Sequence, residues 1–117
     1  MMQPTNQFKL DQQNDITILH IQGDITAQSE PVINDAYQKA DEQGVAQKIL
    51  IQFEEDAYIN SGGIAVLIQI LAHTQKKNQQ IGITGLSEHF KKIFNMVGIA
   101  KFAGIYDTIE DAREAMS

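Results

Sequence analysis

A chain of 117 residues, 43% hydrophobic and 21% charged, has the make-up of one folded domain and is too short for a second core. Nine basic residues stand against fifteen acidic ones, a formal net charge of −6, which disfavours nucleic acid and anionic membranes as partners. With no cysteine there is no disulfide framework, thiolate metal site or thiol nucleophile, in keeping with a cytoplasmic setting.

The polar start Met1-Met2-Gln3-Pro4-Thr5-Asn6-Gln7 lacks the pattern of a secretion signal, and residues 1–7 read as a flexible leader to a single domain spanning 1–117. Residues 64–72 form the longest strongly apolar stretch. Gln69 interrupts it, and it falls far below the roughly 18 residues a membrane span needs, so no membrane insertion is expected. Residues 8–10 and 16–21 read as two strands joined by a polar turn at Gln12-Gln13-Asn14-Asp15. The second strand is apolar on both sides of its alternation, which predicts an interior position with both faces covered; His20 is the exception on its face.

After Gly23-Asp24-Ile25-Thr26, Val32, Ile33, Ala36, Tyr37 and Ala40 recur at helical spacing and predict a helix ending near Gly44. Proline belongs in a first turn, so Pro31 favours Ser29 over Thr26 as the N-cap. Residues 48–53 are a β-branched-rich central strand, followed by the acidic loop Glu54-Glu55-Asp56. Periodicity predicts a helix over 63–78, with Ile64, Leu67, Ile68 and Leu71 as its buried stripe. Residues 80–84 form the next strand. Ser87 caps a third helix whose core stripe is Phe90, Ile93, Phe94 and Val97, and Gly98 stops it. A short strand over 102–106 and a helix opened by Thr108-Ile109-Glu110-Asp111 complete the chain. The order β-β-α-β-α-β-α-β-α predicts an α/β domain: a mixed, mostly parallel central sheet with an N-terminal antiparallel hairpin and about four helices.

Nothing in the chain carries a catalytic pattern. A nucleophile elbow needs glycine two residues before the serine, where Ile59 stands before Ser61. The Gly62-Gly63 pair is not part of a phosphate-binding Gly-x-x-x-x-Gly-Lys-Ser/Thr loop, and the spacing of His20, His73 and His89 gives no metal motif. No catalytic residue, metal or cofactor is therefore expected. The acidic loop could hold a cation, although such loops are more often simply solvated.

The strand-to-helix junction is the informative stretch. From spacing alone, Ser61 reads as a helix N-cap and Gly62 and Gly63 as residues that relax the turn. The segment Ile59-Asn60-Ser61-Gly62-Gly63-Ile64, however, resembles the Asp-Ser-Ser-Gly-Leu-type element of STAS domains, the family of bacterial anti-sigma factor antagonists. Gly23-Asp24-Ile25 looks like that family's Gly-Glu/Asp-Leu element, and residues 87–99 look like its third helix. The likeness runs from about residue 8 to 116 in the same order.

That resemblance implies a STAS-type fold and a protein-binding module rather than an enzyme. The implied partner is a serine kinase that doubles as an anti-sigma factor, bound while the antagonist is unphosphorylated. Phosphorylation of Ser61 by the kinase would release it, and a metal-dependent PPM-type serine phosphatase would restore the bound state. The implied binding surface comprises Asp24, Asn60, Ser61, Gly62, Gly63 and Ile64, extended along the exposed face of the second helix. Two positions depart from the family pattern: Asn60 stands where aspartate is common, and Gly62 where serine or threonine is common. They leave room for a constitutive scaffold or transport-system subunit that binds without phosphorylation.

Overall fold

The computed structural model describes residues 6–42 and 47–116, so the expected Gly44 helix stop and the leader as far as residue 5 lie outside the described residues. Among the described residues, five strands form one sheet in the order β1 (Gln7–Gln13), β2 (Ile16–Gln22), β3 (Lys48–Phe53), β4 (Gln80–Thr84) and β5 (Gly104–Ile105). The β1–β2 pair is antiparallel and every later pairing is parallel. The α-helices among these residues are α1 (Glu30–Glu42), α2 (Ser61–Lys76), α3 (Glu88–Met96) and α4 (Ile109–Met116). The expected fold class and element order are those observed.

The hairpin is tighter than the four-residue polar turn predicts. Gln13 pairs with Ile16, leaving Asn14-Asp15 as the loop, with Asn14 at φ 56°, a left-handed conformation that asparagine tolerates. Gln12 belongs to the strand, where its Oε1 accepts from the Thr17 hydroxyl at 2.8 Å. Asn6 and Gln7 do not belong to a flexible leader. Gln7 opens β1, and the Asn6 side chain is buried, donating to the Gln22 and Asp24 carbonyls and accepting from Ser29 Oγ at 2.6 Å.

The start of α1 also differs from expectation. Thr26 caps a 3-10 turn over Ala27–Ser29, accepting from Gln28 N, while Ser29 Oγ accepts from Thr26 N. The two hydroxyls thus share the cap reciprocally, and the α-helix proper begins only at Glu30. This keeps Pro31 within the first turn, as its missing N–H requires.

Helices α1, α2 and α3 cover one face of the sheet, packing Ile33, Leu67, Leu71 and Phe94 onto Leu19, Ile21, Ile49, Ile51 and Ile83. On the other face α4 sets Ala112 and Met116 against Ile16, Ile18 and Leu50. Strand β2 is thereby covered on both faces, as its doubly apolar pattern predicts. Between α1 and the start of β4, the Tyr37 hydroxyl donates to Gln79 Oε1 at 2.6 Å, and burial pushes the phenol pKa up. No helix among the described residues is long and apolar enough to cross a membrane.

Helix ends follow their local chemistry. Asn78, at φ 56°, closes α2: Gln79 N donates back to Thr74 O and Asn78 N to Gln75 O. Ser87 caps α3 by accepting from Phe90 N, and Gly98, at φ 84°, stops it as expected. The core stripe of α3 is shorter than periodicity suggests. Phe90 and Phe94 are buried, but Val97 is 47% exposed, because the chain turns away at Gly98 into a 3-10 turn over Ile99–Lys101. That turn also shortens β5 to two residues, where a strand over 102–106 was expected, and leaves Phe102 outside the sheet. Phe94→Ala should therefore cost about 3–5 kcal/mol in urea denaturation. Val97→Ala should stay within about 0.5 kcal/mol of wild type; comparable losses at both positions would contradict this phase of α3.

Candidate functional site

The segment between β3 and α2 is held against the segment between β2 and α1 by a single parallel bridge, Ile25 to Ile59. Ile25 N donates to Tyr58 O at 2.8 Å and Asn60 N donates to Ile25 O at 3.1 Å. The Asp24 carboxylate adds a third tie, accepting from Tyr58 N at 2.9 Å. Glu54 makes a fourth, its Oε1 accepting from Gly23 N at 2.8 Å. Two acidic side chains are thus spent on the backbone of the facing loop. Asp24 is thereby held against Tyr58, just ahead of the Asn60–Ile64 segment.

Helix α2 begins on this platform. Its N-cap is Asn60, in extended conformation, with Oδ1 accepting from Gly63 N at 2.9 Å. Ser61 is therefore not the cap that spacing alone suggests; it is the first residue of the helix, and it is exposed. The physical reason is the bridge, which ends at Ile59 and leaves Asn60 as the first residue free to turn its side chain over the helix end. An asparagine cap does the same work as an aspartate one, so the family departure at Asn60 leaves the local geometry intact.

Gly62 and Gly63 are required by close packing. A Cβ on Gly63 would lie 2.3 Å from the Ile25 carbonyl oxygen, and one on Gly62 would lie 2.9 Å from the Ala27 Cβ. The first is a backbone atom locked in the bridge and cannot yield. The absence of a larger residue at position 62 is thus matched by Ala27 on the facing turn. Ile64 is half-buried, packed on the main core.

The phase of α2 is set by this contact rather than by its own hydropathy. Gly63, Val66, Leu67, Ile70, Leu71 and Thr74 are buried, whereas Ile68, expected in the buried stripe, is 40% exposed. Residues 64–72 are apolar nearly all round, so periodicity alone misplaces the stripe by about a quarter of a turn. The outward face of the helix consequently carries Ser61, Ala65, Ile68 and Ala72. Tyr58, in the loop ahead of α2, is 59% exposed and packs edge-on against Phe90 of α3 with ring centroids 5.8 Å apart. Neither Tyr58 nor Ile68 is distinguishable as a surface residue by type. Only the register of the bridge shows them so.

The sequence matches the STAS domain family over residues 7–112, and the chain belongs to that family. Among solved structures, the Thermotoga maritima protein TM1081, assigned as an anti-sigma factor antagonist, superposes with a TM-score of 0.78 at 19% identity, covering 92% of each chain. An anti-sigma factor antagonist from Mycobacterium paratuberculosis gives 0.75 at 17% identity, covering 96% of this chain and 94% of the other. The Bacillus cell fate determinant SpoIIAA in its phosphorylated form gives 0.64 at 15% identity, covering 95% of this chain and all of that one. At such identities the likeness is one of fold.

The cap and the close contact are separable in stability measurements. Asn60→Ala should lose about 1 kcal/mol, while Asn60→Asp should be at least as stable as wild type at neutral pH, since it keeps the acceptor and adds charge at the helix start. Gly63→Ala should cost more than Asn60→Ala, because it has to break the Ile25–Ile59 bridge; equal or smaller loss would show that α2 can shift freely.

Proposed function

We propose that this protein is an anti-sigma factor antagonist switched by phosphorylation of Ser61. In the unphosphorylated state it binds a serine kinase that also acts as an anti-sigma factor, through Asp24, Asn60, Ser61, Gly62 and Ile64, with Tyr58 and Ile68 extending the surface; Gly63, expected among the binding residues, is buried and serves only to seat the helix start against Ile25. Phosphorylation releases the kinase, and a PPM-type serine phosphatase resets the protein. It works as a binding module in signal transduction and transcription control in the bacterial cytoplasm.

The observation that carries this reading is that Asn60 takes the cap and leaves the Ser61 hydroxyl exposed and free of a structural role. A phosphate there adds about 1.5 to 2 negative charges beside the unpaired N–H groups of a helix start. The dipole accommodates it by roughly 0.3–1 kcal/mol, and the nearby carboxylates of the acidic loop oppose it through solvent by a similar amount. The fold should therefore persist. SpoIIAA shares this fold in both its phosphorylated and its unphosphorylated form, with TM-scores of 0.64 and 0.66, so a phosphate is compatible with the fold. The consequence falls on the interface. An unpaired charge buried against a partner costs several kcal/mol, and each 1.4 kcal/mol or so is tenfold in affinity.

Affinity capture from the native organism's lysate with Ser61→Ala and Ser61→Asp side by side tests this. The alanine variant should retain an ATP-binding serine kinase, and the aspartate variant should lose it by about 100-fold or more. Equal retention by both would overturn the switch and favour a constitutive scaffold or transport-system subunit. Both variants should stay within about 0.5 kcal/mol of wild-type stability.

A further inference from the structure

A second site lies on the opposite face of the sheet from α2. Helix α4 covers Ile16, Ile18 and Leu50 but stops short of the next residues along the strands. There His20 on β2 pairs in register with Gln52 on β3, and Gln52 with Thr84 on β4, so three polar side chains lie in one row across the sheet. They line a cleft of about 540 Å³, within the size range of small-molecule sites.

Thr84 makes the cleft unusual. It is 1% exposed, and its hydroxyl has no hydrogen-bond partner among the described residues. An unsatisfied buried hydroxyl costs about 1–3 kcal/mol, and valine, of the same shape, would avoid that cost. The other buried threonines are satisfied: Thr17 donates to Gln12 and Thr74 to the Leu71 carbonyl. Of the buried threonines among the described residues, Thr84 alone has its hydroxyl unused, at a cleft wall.

The charge of the rim narrows the occupant. Glu54, Glu55, Asp56 and Asp107 line the cleft, and no lysine or arginine does among the described residues. Asp107 is neutralised by an ion pair with Lys91, whose ammonium it holds above the usual lysine range, and Glu54 is tied to Gly23 N. Glu55 and Asp56 remain exposed and carry the negative field. An anion is thus repelled, and an apolar ligand would leave the polar floor unpaired. A bare divalent cation finds no three carboxylate or histidine side chains grouped to ligate it among the described residues.

We propose that this cleft binds a small organic cation with several N–H donors, of the polyamine or guanidino-alkylamine class. One nitrogen donates to Gln52 at the floor and, once the Thr84 side chain turns towards the cleft, to its Oγ1, and the cationic end faces Glu55 and Asp56 at the rim. Its floor lies on the face of the sheet opposite α2, while its rim is the acidic loop that leads towards Ser61.

Calorimetric titration of the full chain with agmatine and with spermidine, in about 150 mM salt to screen diffuse attraction, tests the assignment. Saturable one-site binding by at least one probe is expected. Thr84→Val should weaken it about tenfold, whereas Thr84→Ser, which keeps the hydroxyl, should bind within about threefold of wild type. Amide shifts on binding should centre on Gln52, Thr84 and Thr108. No saturable heat with either probe would overturn the proposal. So would equal affinity of wild type and Thr84→Val, which would reduce the effect to non-specific attraction by an acidic surface. Should Thr84→Val fail to fold, Glu55→Gln/Asp56→Asn replaces it at the rim, and undiminished binding by that variant counts equally against the site.

Discussion

The parallel bridge between Ile25 and Ile59 is the constraint on which the candidate functional surface depends. It joins two loops that leave adjacent parallel strands at the same end of the sheet, where Ile25 and Asn60 exchange backbone hydrogen bonds with Tyr58 and Ile25. Each such bond contributes only about 1 kcal/mol net. Their combined geometry does more, because it fixes where β3 ends and hence which residue can cap α2. Asn60 becomes the cap, Gly63 is pressed against the Ile25 carbonyl, and Ser61 is turned outward. A change of one residue in this register would bury the serine or occupy it as a cap.

Acidic side chains near the bridge divide their work by position. Asp24 and Glu54 accept from backbone N–H groups of the facing loop and so hold the platform together. Glu55 and Asp56 are exposed and make the field outside it. On the proposed reading, a phosphate on Ser61 would meet a surface that is already negative and braced, and its effect would fall on a partner docked over Tyr58, Ser61 and Ile68.

Much of this was legible in the sequence. Strand and helix order, the doubly covered β2, the Ser87 cap, the Gly98 stop and the proximity of Asp24 to the junction all follow from periodicity, turn chemistry or resemblance, because each depends on a few neighbouring residues or on a shared pattern. The failures have one kind of cause. Apolar type alone places Ile68 and Val97 in the core, although both are exposed. In α2 the helix is apolar almost all round, so its phase depends on the distant carbonyl of Ile25; in α3 the chain leaves the core at Gly98. Spacing alone makes Ser61 a cap, because cap identity depends on where the bridge ends. The row of His20, Gln52 and Thr84 has no sequence signal, since it exists only through the register of three strands.

Amide hydrogen exchange at Ile25, Asn60 and Gly63, compared between the unmodified chain and the chain phosphorylated on Ser61, tests the central claim most directly. These three N–H groups donate to Tyr58 O, Ile25 O and Asn60 Oδ1, and so report the bridge and the cap. A platform that presents Ser61 without moving predicts protection unchanged within about threefold, equivalent to roughly 0.6 kcal/mol in opening free energy. Loss of protection by a hundredfold or more at all three would contradict it, and would show that phosphorylation acts by releasing α2 from the sheet.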